Sequence, residues 1–320
     1  MRGIGRSPAE LFELAKNGNR RALSRLITYV ENGGELCRET LHIIWPSIGH
    51  ARIIGITGPP GSGKSTLTDK YAKLLRKQGR TVGIIAVDPT SPFSGGAILG
   101  DRVRMGDLAL DEGTYIRSMG TRGQLGGLSA ATNGAVRVLD ACGFDTIILE
   151  TVGVGQSEVA VVHTADIVAV VSVPGLGDDV QAIKAGILEI GDIFVVNKCD
   201  RPGADKVVSE LKSMLELDAS GIKRDSPILK TSASSGEGIE EFGAAVDSRF
   251  EQYDSEGLLK ARRIDRLRSE LTGILEGEIF RRIMRPALGA QDFEDVLEGL
   301  LNGSGDPYAW AEDALSRILK

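Results

Sequence analysis

Apolar residues Leu11, Leu14, Leu23, Leu26, Ile27 and Val30 recur near the start of the chain at the spacing of one helix face. The stretches "NGNR" and "ENGGE" cut this zone into short helices, since Asn and Gly favour turns and helix ends over helix interiors. From Ala51 the pattern changes. Short apolar runs alternate with helical stretches as far as Ser232: "ARIIGIT", "TVGIIAVD", "TYIRSM", "FDTIILE", "ADIVAVVSVP", "DIFVVNK" and "PILKTSA". Several are apolar at successive positions, as in parallel strands buried under helices on both faces. The alternation predicts an α/β fold with a mostly parallel, doubly wound sheet, whose ligands bind at the carboxyl ends of strands.

Helical periodicity returns from Glu237. Ile264, Leu267, Leu271, Ile274, Leu275, Ile279 and Ile283 form one apolar stripe, and Arg262, Arg263, Arg266 and Arg268 take the opposite face. A stripe this long packs either on its own domain or on a second subunit, and the arginines read as a solvated helix face. The expected organisation is a helical segment over residues 1–50, a nucleotide-type domain over 51–245 and a helical arm over 246–320.

Composition narrows the function classes. A net charge of −6 gives no electrostatic case for nucleic acid or an anionic membrane. The three cysteines, Cys37, Cys142 and Cys199, are scattered, and His42, His50 and His163 form no ligand-spaced cluster with them. That pattern speaks against a disulfide framework and suits a reducing, cytoplasmic setting. No apolar run approaches the roughly 20 residues of a membrane span. The 41 glycines suit a protein rich in tight phosphate-type loops.

Chemistry first becomes specific at "GITGPPGSGKST". Gly58, four residues, then Gly63, Lys64 and Ser65 stand between a predicted strand and a predicted helix, the context a P-loop requires. Gly58, Gly61, Ser62, Gly63 and Thr66 belong to the backbone cradle. Glycines let N–H groups turn toward phosphate oxygens, and the helix N-terminus adds its positive dipole. Lys64 reaches the β- and γ-phosphates and Ser65 offers a hydroxyl to Mg²⁺.

"DIFVVNKCD" ends a strand in Asn197, Lys198, Cys199 and Asp200. A carboxylate at Asp200 accepts from guanine N1–H and its exocyclic amine, donors that adenine lacks on that edge. The Lys198 stem covers the base plane. About thirty residues on, Ser232 and Ala233 in "TSASSGEGI" supply a backbone N–H for guanine O6. The three motifs in this order point to GTP and GDP.

Between them lie further acidic residues, Asp88 in "VDPTSP" and Glu150 in "LETVGVGQ" at strand ends and Asp101 in "GGAILGDRVRM" at the start of a helix. Carboxylates converging on one P-loop repel unless a cation sits among them, and Mg²⁺ is the natural occupant. Gly153 can offer its N–H to the γ-phosphate. Val154 occupies the place where many GTPases carry a water-orienting Gln, and Gln156 has no assigned role. Lys184 lies in a helix after the glycine-rich "PGLGDD", and "MGTRGQLGGLS" carries Arg122 and Gln124 in a similar loop.

With "GPPGSGKST", "VDPTSPFSGGAILGDRVRM", "RGQLGGLS", "ETVGVGQSE" and "PGLGDDVQAIKAGILEIGDIFVVNKCD" in this order, the chain resembles the MeaB/ArgK family of P-loop GTPases, which accompany cobalamin-dependent acyl-CoA mutases. The resemblance runs over nearly the whole chain. It implies a homodimer through the C-terminal helices and a chaperone-like role, with GTP hydrolysis gating adenosylcobalamin delivery to methylmalonyl-CoA mutase and protecting or reactivating it. It also implies that Lys64 and Ser65 bind phosphates and Mg²⁺, and that Asp88, Asp101 and Glu150 serve the metal and switch machinery. Asn197 and Asp200 then read guanine, and Lys184 lies in a third switch that responds to the mutase and contributes catalytically to the stimulated hydrolysis. Slow hydrolysis that rises on mutase binding is the expectation. The alternatives are a kinase of an arginine/ornithine transport system, which would need an acceptor-binding domain, and a metal-loading GTPase, which would need thiol or imidazole ligands.

Overall fold

The computed structural model describes residues 6–88, 105–120, 127–151, 161, 164–175, 190–216, 225–284 and 290–318. The chain divides into two compact units, Met1–Lys260 and Ala261–Lys320.

The first unit opens with three helices, α1 (Pro8–Lys16), α2 (Arg20–Asn32) and α3 (Gly34–Ile44). Their boundaries follow from capping chemistry. Ser7 and Glu10 form a reciprocal capping box at α1, and the Asn19 side chain accepts the Ala22 N–H at α2. Gly33 and Gly34, at φ 69° and 78°, make the left-handed turn between α2 and α3, a conformation other residues adopt only under strain.

Among the described residues seven strands follow: β1 (Arg52–Thr57), β2 (Val82–Asp88), β3 (Thr114–Gly120), β4 (Thr146–Thr151), β5 (Ile167–Ser172), β6 (Ile193–Val196) and β7 (Ile228–Lys230). The pairings among these strands are parallel, in the order β3-β2-β4-β1-β5-β6-β7. The sheet is the buried parallel type expected from the apolar runs, and β4 and β5 are buried at every position. Chain order reverses direction at β1, so the crevice beyond the carboxyl ends of β1 and β4 is where a doubly wound sheet places its ligand.

Helices α4 (Lys64–Lys77) and α8 (Ile239–Ser255) cover one face. They bury Leu67, Tyr71, Ala72, Leu75, Phe242 and Val246 against Ile54, Ile56, Ile84 and Ile148. Tyr71 and Phe242 meet edge to face, centroids 5.0 Å apart. The short α5 (Gly106–Leu110) adds Leu108 to this layer. The other face carries α6 (Gly127–Ala141), α7 (Ala204–Glu216) and the N-terminal helices. Gly134 permits the close crossing of α6 and α2, since a Cβ there would lie 2.9 Å from Val30 Cβ.

β3 is an edge strand, and unpaired edges invite association. Here the N-terminal helices flank it. Arg20 donates to the Thr114 carbonyl, Ser24 and the Tyr115 hydroxyl are 3.0 Å apart, and Arg117 forms a forked pair with Glu31 while also reaching Thr28.

The second unit holds most of α9 (Leu258–Ile279), one π-helical turn at Phe280–Met284, α10 (Ala290–Leu301) and α11 (Pro307–Ile318). The α9 stripe is open to solvent in the single chain: Leu271, Ile274 and Leu275 are 59%, 54% and 53% exposed. Among the described residues, no helix is long and apolar enough to cross a membrane.

Candidate nucleotide site

The loop after β1 is shaped by its glycines. At Gly58, φ is 141° and a Cβ would lie 2.1 Å from the Val171 carbonyl oxygen. Only a residue without a side chain lets the chain leave β1 so close to β5. Gly63, at φ 90°, precedes α4, and among the described residues no side chain caps that helix. Its first-turn N–H groups and the dipole behind them are therefore available to an anion.

Lys64 opens α4 and is 6% exposed. Its Nζ donates to the carbonyls of Gly58 (2.7 Å) and Pro59 (2.9 Å), so the ammonium lies across its own loop, where phosphate oxygens bind in P-loop proteins. Ser65, one residue on, donates its hydroxyl to a Glu150 carboxylate oxygen. Glu150 stands in β4 directly opposite Ile56 of β1 and is 1% exposed. Thr66 is on the exposed side of α4. Asp88 ends β2, paired with Gly120.

The base side is built around Asn197. Its Nδ2 donates to the Ser62 carbonyl at 2.8 Å. Its Oδ1 accepts the Ala233 N–H at 3.0 Å and the Thr231 hydroxyl at 3.1 Å. One buried amide thus joins the phosphate loop, the end of β6 and the loop after β7. Lys198, at φ 56°, stretches the same way and donates from Nζ to the Gly61 carbonyl at 2.6 Å. The Ser232 hydroxyl donates to Asp200 Oδ1 at 2.7 Å. Asp200 is exposed, and that hydrogen bond, followed by its own backbone N–H, holds its carboxyl below the usual aspartate range. A fixed, ionised acceptor is what guanine's two donors require.

Cys199 takes the variable place in this motif. Burial first, then Glu237 and Asp200, push its thiol up, and burial raises Cys142 to about 12. Neither is poised as a nucleophile or soft-metal ligand. Asp101, Arg122, Gln124, Gly153, Val154, Gln156 and Lys184 lie outside the described residues.

The structure therefore brings together Gly58, Gly61, Ser62, Gly63, Lys64, Ser65 and Glu150 on the phosphate side. Asn197, Lys198, Asp200, Ser232 and Ala233 gather at the ends of β6 and β7, where the sequence expects the base. Thr231 is the first residue of the motif that contains Ser232 and Ala233, but its hydroxyl bond to Asn197 is not legible in that motif. Thr57 and Thr151, which end β1 and β4 and share a hydroxyl–hydroxyl hydrogen bond of 3.2 Å, carry no motif of their own.

Fold and site together define a P-loop GTPase. The chain belongs to the MeaB family, described as methylmalonyl-CoA mutase-associated GTPases, whose family model matches residues 23–287. A Pyrococcus abyssi (strain GE5 / Orsay) protein named as a GTPase is 49% identical over 313 residues, covering 97% of this chain and 96% of its own length. The GTPase ArgK of Escherichia coli (strain K12) is 41% identical over 196 residues, 60% of this chain and 59% of that protein. The methylmalonic aciduria type A homolog of Mus musculus, a mitochondrial protein, is 40% identical over 218 residues, 66% of this chain and 52% of its own length. The crystal structure of an LAO/AO transport system kinase matches with a TM-score of 0.74 at 27% identity, covering 98% of each chain.

Proposed function

We propose that this GTPase is a chaperone of a cobalamin-dependent acyl-CoA mutase, methylmalonyl-CoA mutase by preference, gating adenosylcobalamin delivery and protecting or reactivating the enzyme. The observation that carries the reading is the family match across residues 23–287 on a chain whose nucleotide loops are tied together through Asn197.

In this reading Asp200 selects guanine, Ala233 N–H lies toward O6 and Lys198 lines the base. Lys64 exchanges its two loop carbonyls for phosphate oxygens, a cation kept close to its place of use. The oxygen donors Ser65 and Glu150, already in contact, suit Mg²⁺, which prefers one or two protein oxygens with phosphates and water completing its shell. Asp88 and Asp101 are the further candidates for that shell. When bound, Mg²⁺ would neutralise charge on the β- and γ-phosphates. Gly153 would offer its backbone N–H to the γ-phosphate, and Lys184, by resemblance, would answer the mutase and contribute to stimulated hydrolysis.

With Val154 in the usual place of Gln, intrinsic hydrolysis is slow and the mutase supplies the missing help. Two chains pair through the exposed α9 stripe, in the cytoplasm and without nucleic acid or membrane. The deciding experiment is co-purification with acyl-CoA mutases in the presence of GDP or a non-hydrolysable GTP analogue, with phosphate release measured with and without mutase. Absence of both binding and stimulation overturns the proposal. The likeness to an LAO/AO transport system kinase favours a second reading, phosphate transfer to a protein. Labelled GTP separates the two: free phosphate in one case, phosphoprotein in the other.

A further inference from the structure

Strands β1 and β4 are apolar almost throughout, with Ile53, Ile54 and Ile56 beside Ile147, Ile148 and Leu149, yet each ends in threonine. In register, Ile56 lies opposite Glu150. One step further, Thr151 Oγ1 donates to Thr57 Oγ1 at 3.2 Å, and both residues are 0% exposed. Valine has nearly the same shape, suits a strand as well and carries no hydroxyl to desolvate. The strand therefore does not require these two hydroxyls.

Their place suggests the use. Thr57 is the last residue before the P-loop, and Ser65 is the second residue of the helix after it. Successive side chains of β4 project to opposite faces of the sheet. Thr151 thus holds the entry to the loop from one face, while Glu150 holds the exit through Ser65 on the other. On the β5 side the entry is already constrained by the close passage of Gly58 along the Val171 carbonyl. The hydroxyl pair supplies the corresponding directional restraint on the β4 side.

We infer that Thr57 and Thr151 are a positioning pair for GTP hydrolysis, setting the offset between the ends of β1 and β4 and so the placement of Glu150 and Ser65 relative to the phosphate loop. Neither threonine is a catalytic residue. The pair acts on hydrolysis itself, whatever partner the protein serves.

The test uses the full chain with T57V, T151V, the double valine variant, T57S and T151S. Phosphate release gives kcat and KM, binding of a fluorescent GDP analogue gives affinity, and thermal melting reports stability. Each valine variant should lower kcat about tenfold, the effect of one lost oriented hydrogen bond, with KM and GDP affinity changed less than about threefold. Each serine variant should keep kcat within about twofold, because the hydroxyl remains. The double variant should be no slower than the slower single, because either change alone breaks the pair. Wild-type kcat in both valine variants would overturn the inference, whatever their melting temperatures. So would a loss that serine shares, which would assign the effect to the methyl group, or losses that multiply in the double variant. If T151V does not fold, T151A carries the same comparison with T151S.

Discussion

Asn197 and Ser62 are 135 residues apart in sequence and joined by a 2.8 Å hydrogen bond from the Asn197 amide to the Ser62 carbonyl. The same side chain accepts from Thr231 and Ala233, so it holds the phosphate loop and the base loop at a fixed separation. Replacing Asn197 with Ala leaves the Ala233 N–H without that partner in a site that is 2% exposed. A buried polar group stranded in this way costs about 1–3 kcal/mol. Calorimetric titration should show GDP affinity falling about 10- to 100-fold.

Asp200 is expected to decide the base. Asp200→Asn replaces an acceptor with an amide that can donate, which suits the C2 carbonyl of xanthine better than the amine of guanine. GTP affinity should fall about 10- to 100-fold, as for the loss of a charged hydrogen bond, while XTP affinity rises. Competition between the two nucleotides measures both changes at once.

The same residue sets a pH dependence. With its folded-state carboxyl held below the usual range by Ser232, Asp200 stays ionised as pH falls toward the ordinary aspartate value of about 3.9. The proposed interaction with guanine would be present above the depressed value and lost only as pH falls through it. GDP affinity should therefore be flat between about pH 8 and pH 5. Ser232→Ala removes the largest cause of the depression and should move any acid-side loss upward.

Glu150→Gln keeps the hydrogen bond from Ser65 but removes the charge. If Glu150 serves the metal side, half-maximal hydrolysis should need about tenfold more Mg²⁺, with melting temperature little changed. An unchanged Mg²⁺ requirement would place the metal elsewhere.

Leu271 is 59% exposed in the single chain, so charging it costs an isolated chain little. Leu271→Asp should convert a dimer to a monomer in sedimentation while leaving each chain's GDP binding intact. Wild-type sedimentation by the variant would remove α9 from the dimer interface.

Much of the molecule was legible because the relevant signals are local. Apolar runs with period-independent burial marked the seven strands, and the three-to-four spacing of Leu23, Leu26, Ile27 and Val30 marked α2. The P-loop and the Asn197–Asp200 motif were readable because each is a short backbone conformation with its chemistry attached, framed by a strand before it. The stripe on α9 was equally plain, although its covering was not.

The tertiary structure decided what depends on neighbours distant in sequence. Seven similarly apolar strands do not state their own order, yet the placement of β4 beside β1 is what brings Glu150 to Ser65 and Thr151 to Thr57. Nothing near Arg117 announces Glu31, which meets it only because the N-terminal helices fold along the edge strand. Asn197 likewise looked like a reader of the base, and the fold gives it a second task as a tie between loops. Local pattern determined which elements form and what chemistry each end carries. Packing determined which ends meet, because a hydrogen bond across 85 or 135 residues leaves no periodic trace in the chain.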